Sequence, residues 1–129
     1  MIERTNAPGL SQPPGYSHVA VASGSRLVTT AGAVPLDAEG NLVGVGDLLV
    51  QARQTLENLA LALEAVGASA RDVIKITVYV VADDRADLGS VWVAVRQSSV
   101  AGAASTLLGV SMLAVKGQLV EIEAIAVLD

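Results

Sequence analysis

Glu121 and Glu123 stand between aliphatic neighbours in the run Val120-Glu-Ile-Glu-Ala-Ile-Ala126. A carboxylate inside an apolar strand is costly unless a partner or a proton satisfies it. These two residues are therefore the first to ask about acid–base chemistry. Glu123 repeats the face of Glu121 without a motif of its own, so a structural or solvated role is its reading. His18 is the only histidine. Alone it builds neither a metal site nor a Cys/His dyad, and it reads as a polar residue at a strand start. A Ser-His-Asp arrangement stays open, although no nucleophile elbow is present. Gly44-Val45-Gly46 lacks the Lys-Ser/Thr ending and the preceding strand of a phosphate loop. No metal and no cofactor are expected.

Composition narrows the function classes. The chain has 129 residues, 52% apolar and 16% charged, against about 25% charged in a typical domain. One domain spanning 1–129 is expected, and part of its aliphatic surface is assigned to a subunit interface. The chain has no cysteine, so disulfides, thiolate chemistry and cysteine metal sites are excluded. Gly, Ser and charged residues interrupt every apolar run, and Met1–Leu10 has no apolar core of a signal peptide. A soluble cytoplasmic protein, not membrane-bound, is the expectation. The net charge is −5 and the eight basic residues are scattered. The aromatic residues are only Tyr16, Tyr79 and Trp92. Nucleic acid is disfavoured as a partner, because it calls for basic stripes and stacking platforms.

The elements that must position these residues follow from periodicity. Leu48–Val66 reads as a helix, with Leu49, Ala52, Leu56, Leu59, Leu63 and Val66 on one face and Gln51, Gln54, Glu57, Asn58 and Glu64 on or near the other. Asp47 is its N-cap, and Gly67 suits the left-handed residue after it. Val73–Val81 reads as a strand with Ile74, Ile76, Val78 and Val80 toward the helix. A second helix runs from about Arg85 to Ser98 with Leu88, Val91, Trp92 and Val95 as its core stripe. Thr106–Val110 and Leu119–Leu128 are the last strands, joined through a Lys116-Gly117 turn. Upstream, Ile2–Thr5 reads as an edge strand, and His18–Ala22 and Leu27–Ala31 read as a hairpin across Gly24-Ser25. Gly32–Gly46 reads as a long loop with a short strand at Leu42-Val43. The order β-β-loop-α-β-α-β-β gives an α+β fold, a mixed β-sheet with two helices packed on one face. An oligomeric partner would cover the other face.

An ordered set of segments carries a family resemblance. It comprises Pro14-Gly-Tyr-Ser-His18, the strand end Ala31-Gly32, Gln51-Ala-Arg-Gln-Thr-Leu-Glu-Asn58-Leu, Gly67-Ala-Ser-Ala-Arg-Asp72-Val-Ile-Lys75 and Val120-Glu-Ile-Glu-Ala-Ile-Ala126. The set resembles the Rid family (reactive intermediate deaminases, also called YjgF or L-PSP). The resemblance implies a chorismate-mutase-like fold, a homotrimer, and small-molecule clefts between subunits. It also implies hydrolysis of imines or enamines, derived from amino acids, to keto acids and ammonia.

In that family an arginine in a Pro-Ala-Arg-Ser/Thr segment clamps the substrate carboxylate, ahead of a strand glutamate that positions water. Laid on Ala103-Ala104-Ser105-Thr106, the arginine falls on Ser105 and the glutamate on Glu121. The family tyrosine matches Tyr16, with Pro and Gly swapped before it and His18 in place of a glutamine. A family asparagine aligns near Trp92. The resemblance thus makes Glu121 the catalytic candidate, with Tyr16, Ser105 and Thr106 lining the cleft. A serine offers one neutral donor where a guanidinium makes two charge-assisted bonds. Losing one partner of a buried charge pair costs about 2–5 kcal/mol. Arg96 is the nearest basic substitute in sequence. The expected function is small-molecule binding of the Rid type, with imine or enamine deamination of a ligand other than the usual imino acids. The alternatives are a non-catalytic binding or interaction protein on the trimeric scaffold and, less favoured, an L-PSP-type endoribonuclease.

Overall fold

The computed structural model describes all 129 residues. In chain order the elements are β1 (Ile2–Thr5), β2 (Val19–Ala22), β3 (Arg26–Thr29), α1 (Leu48–Glu64), β4 (Val73–Val81), α2 (Arg85–Arg96), β5 (Ala104–Val110) and β6 (Val120–Leu128). The Asp47 carboxylate accepts from Val50 N–H at 3.1 Å and starts α1. Asp84 does the same for α2, accepting from Ala86 N–H at 2.8 Å. Each satisfies one of the orphan donors of a first turn.

β3, β6, β4 and β5 form one sheet in that order, with β5 parallel to β4 and the other pairs antiparallel. β1 and β2 make a separate two-stranded ribbon. The expected hairpin across Gly24-Ser25 is therefore corrected. Gly24 lies directly against the Leu128 carbonyl, and the chain leaves β2 to pair Arg26 with Leu128 on β6.

Both helices cover one face of the four-stranded sheet. Leu59 and Leu63 of α1 and Val91 and Val95 of α2 share a core with Ile76, Val78, Val80, Val120, Ile122, Ala124 and Ala126. Each fully buried Leu, Ile or Val adds about 1.5–3 kcal/mol to the driving force. A register shift between Val73 and Lys75 puts Val73 in the core and leaves Ile74 half-buried, against the simple alternation expected. In α1 the expected stripe is shortened: Leu49 and Val66 are exposed, while Gln51 is fully buried.

Gln51 is buried because three backbone groups occupy its amide. Its Nε2 donates to the Gly44 and Gly117 carbonyls, both at 3.0 Å, and its Oε1 accepts from Leu119 N–H at 2.7 Å. One side chain of α1 thus ties the loop before the helix to the turn before β6. Asn58, half-buried, similarly holds the Val34 and Leu36 carbonyls at 2.7 and 2.8 Å.

The other sheet face is bare. It carries Leu27 and Thr29 of β3, Lys75, Thr77 and Tyr79 of β4, Thr106 and Leu108 of β5, and Glu121, Glu123 and Ile125 of β6. Leu27, Leu108 and Ile125 are exposed there. No helix is long and apolar enough to cross a membrane.

Candidate functional site

Residues 13–18 dock at the start of the edge strand β5. Ser17 bridges Ala104, and its hydroxyl donates to the Gly102 carbonyl at 2.7 Å. Gly15 turns the chain with a φ of +94°, where a side chain would be strained. A Cβ there would also come within 2.5 Å of Arg96 Cδ, so the Arg96 stem lies directly over this turn.

The turn sets Tyr16 against α2. Its ring stands edge-on to Trp92, centroids 6.0 Å apart at 74°. Trp92 Nε1–H donates to the Pro14 carbonyl at 2.7 Å, closing the arrangement. The result is a cavity of about 260 Å³ lined by Pro14, Tyr16, Trp92, Ser105 and Leu107. Ser105 and Leu107 reach it because they register with Ile76 and Val78, which face the helices. The Ser105 hydroxyl donates to the Ala103 carbonyl at 2.8 Å. Trp92, expected as a core residue, both touches the core and lines this cavity. His18 Nδ1 accepts from Ala7 N–H at 3.0 Å, which fixes the approach of the segment to β2.

Thr106 and Glu121 lie on the opposite, bare face. Thr106 registers with Thr77 and accepts from Lys75 Nζ at 2.8 Å. Glu121 registers with Tyr79, and Glu123 with Thr77. The Tyr79 hydroxyl donates to Glu123 Oε1. That bond raises the Tyr79 pKa above its ordinary value; desolvation and the negative charges of Glu123 and Glu121 add to the effect.

Glu121 is held from two sides. Its Oε1 accepts from Gln118 Nε2 at 3.1 Å, and Gln118 Oε1 in turn accepts from Val115 N–H at 3.2 Å. Its other oxygen abuts Gly32, where any Cβ would overlap the carboxylate. Gly32 is placed by the next residue: Ala33 and Ile122 exchange backbone hydrogen bonds of 2.7 and 3.1 Å. Neither Glu121 nor Glu123 has a cationic partner, the one ion pair being the N-terminal amine with Asp129 at 3.6 Å. Within one chain the structure therefore brings Tyr16 and Ser105 together and separates them from Thr106 and Glu121 by the thickness of the sheet.

Sequence reasoning missed Gln118, which is buried and supports Glu121. Its position three residues before a strand carboxylate, directly after the Lys116-Gly117 turn, was the available signal. It also missed Leu107, which shares the face of Ser105.

A mixed sheet covered on one face by two helices, with a cavity at its edge strand, is the chorismate-mutase-like α+β architecture of Rid proteins. The family profile described as Endoribonuclease L-PSP matches residues 6–128, and the chain belongs to that L-PSP/Rid family. The crystal structure of a Rid-family protein of unknown function, YyfB from Yersinia pestis, superposes with a TM-score of 0.89 at 34% identity, covering 98% of both chains. A RutC family protein of Pyrococcus horikoshii is 42% identical over 79 residues, 61% of this chain and 60% of that one. A 2-iminobutanoate/2-iminopropanoate deaminase of Salmonella typhimurium is 41% identical over 54 residues, 42% of this chain and 41% of that protein. The matched regions thus span less than two thirds of these two relatives.

Proposed function

We propose that this protein binds a small molecule in clefts completed by a second copy of the chain, within a homotrimer. In this reading it hydrolyses an imine or enamine that lacks the carboxylate of an imino acid. The observation that carries the reading is the division of the site. The Tyr16–Ser105 cavity and the Glu121 shelf lie on opposite faces of one sheet, and each is incomplete alone. A neighbouring chain that lays its bare face against the β5 edge would bring its Glu121 opposite the cavity. The deaminase among the relatives supports the reaction class.

The chemistry follows from the residues. Glu121 has no cation to neutralise it, so its carboxylate can accept a proton from water as water attacks the C=N carbon. Protonated Glu121 then returns that proton to the nitrogen, which leaves as ammonia while the new hydroxyl gives its proton to the carboxylate and a carbonyl remains. Gln118 and Gly32 fix the carboxylate in place, which is the positioning that general-base catalysis requires. Ser105 occupies the position of the family arginine and brings no positive charge to a substrate.

Ammonia release from freshly generated imines tests the proposal. Glu121→Gln keeps the shape and removes the base, and is expected to slow release by about 10²-fold or more. Unchanged release in that variant would sink the catalytic role of Glu121.

A further inference from the structure

We infer that the cavity selects a ligand that is cationic at nitrogen and carries a flat apolar body: an amine-derived ammonium or iminium, not an amino-acid-derived anion. This deepens the proposed function and rests on it where a partner's Glu121 is invoked.

The lining side chains have little to offer an anion. A carboxylate needs hydrogen-bond donors, and the donors here are already engaged. Trp92 Nε1–H is committed to the Pro14 carbonyl at 2.7 Å. The Ser105 hydroxyl has one proton, which goes to the Ala103 carbonyl at 2.8 Å, leaving its lone pairs free as acceptors. Among the lining side chains only the Tyr16 hydroxyl can still donate. Lys75, the basic residue of the neighbouring strand, faces the far side of the sheet and is bonded to Thr106.

What the cavity does present suits a cation. The chain has three aromatic residues and no Phe, and two of the three, Tyr16 and Trp92, meet at this one cavity. The largest fully buried side chains are headed by Leu and Ile and include no aromatic ring; Trp92 only flanks the core. Both rings of this edge-on Tyr–Trp corner line the cavity, and aromatic faces attract ammonium and iminium groups and stack on flat ligands. In the assembled cleft, a partner's Glu121 would add a carboxylate with no arginine to balance it. The charge relationship of the family is thereby reversed, the protein supplying the anion and the ligand the cation. Two basic side chains stand near the rim: Arg96, its stem lying over Gly15, and His18, its ring edge-on to Tyr16 at 6.0 Å between centroids with Nδ1 taken by Ala7 N–H. Arg96 is exposed to water, and its charge is correspondingly screened.

Trp92 is the only tryptophan, so its fluorescence reports on the cavity directly. The wild-type protein would be titrated with benzylammonium, benzyl alcohol and benzoate at about 0.15 M salt, where the Debye length is about 8 Å. The expected order of affinity is benzylammonium, then benzyl alcohol, then benzoate, with the first about tenfold or more ahead of the last. Ser105→Arg is expected to reverse the order. Benzoate binding to the wild type as tightly as benzylammonium would overturn the inference, whether or not Arg96→Gln then abolishes it. Glu121→Gln separates the two levels of the proposal. A weaker benzylammonium affinity in that variant supports both the cation preference and the intersubunit cleft. A preference that persists at full strength supports the cavity's own selectivity and overturns the cleft shared between chains.

Discussion

At the scale of single residues, the bare sheet face holds a small acidic system. Tyr79 donates to Glu123 and stands beside Glu121 in register, and its pKa is raised first by that hydrogen bond, then by desolvation and the charges of Glu123 and Glu121. The folded chain therefore holds the tyrosine proton more tightly than the unfolded chain does. The linked stability is fully present below the unfolded value of about 10 and is lost as pH rises through the higher folded value. Urea unfolding at increasing alkaline pH is expected to show a decline that Tyr79→Phe reduces. An identical alkaline decline in both proteins would show that Tyr79 does not contribute. Glu121, on the same face, differs from Glu123 in its supports. Gln118 bonds one of its oxygens and Gly32 makes room for the other.

At the scale of elements, α1 does more than cover the sheet. Gln51 fixes the turn that leads to Gln118, and Gln118 fixes Glu121, so a helix residue on the covered side supports a carboxylate on the bare side. Replacing Gln51 by Leu removes three hydrogen bonds: the Gly117 carbonyl and Leu119 N–H lose their partner, and the Gly44 carbonyl keeps only Asp47 N–H at 2.9 Å. Each net hydrogen bond is worth about 0.5–1.5 kcal/mol, so a loss of about 2–4 kcal/mol is expected in urea unfolding. A loss below about 0.5 kcal/mol would mean water replaces the clamp.

The same elements show what the sequence discloses. α1, β4 and β6 were legible because their apolar periods are long and regular. The partner of β3 was not, since a Gly-Ser pair reads as a hairpin turn, whereas Gly24 here allows close approach to β6. Gln51 was misplaced because polarity reads as exposure until its partners are known. The sides taken by Ser105 and Thr106 were also hidden. Adjacent strand residues face opposite ways, and only the pairing of Ser105 with Ile76 decides which one meets the cavity.

At the scale of the whole molecule, the uncovered face and the divided site point the same way. Leu27, Leu108 and Ile125 would each lose apolar contact with water against a partner. Sedimentation is expected to give a trimer, and Ile125→Glu is expected to shift it toward monomers. A stable wild-type monomer would contradict the shared cleft.

In the proposed function, a Rid-type site carries Ser105 in place of its carboxylate clamp. The most direct test is ammonia release from 2-iminopropanoate generated in solution, comparing wild type with Ser105→Arg. Restoring a charge-assisted clamp worth about 2–5 kcal/mol should raise release at least tenfold over a wild type near background. A wild type that releases ammonia as fast as the variant would contradict the loss of the clamp.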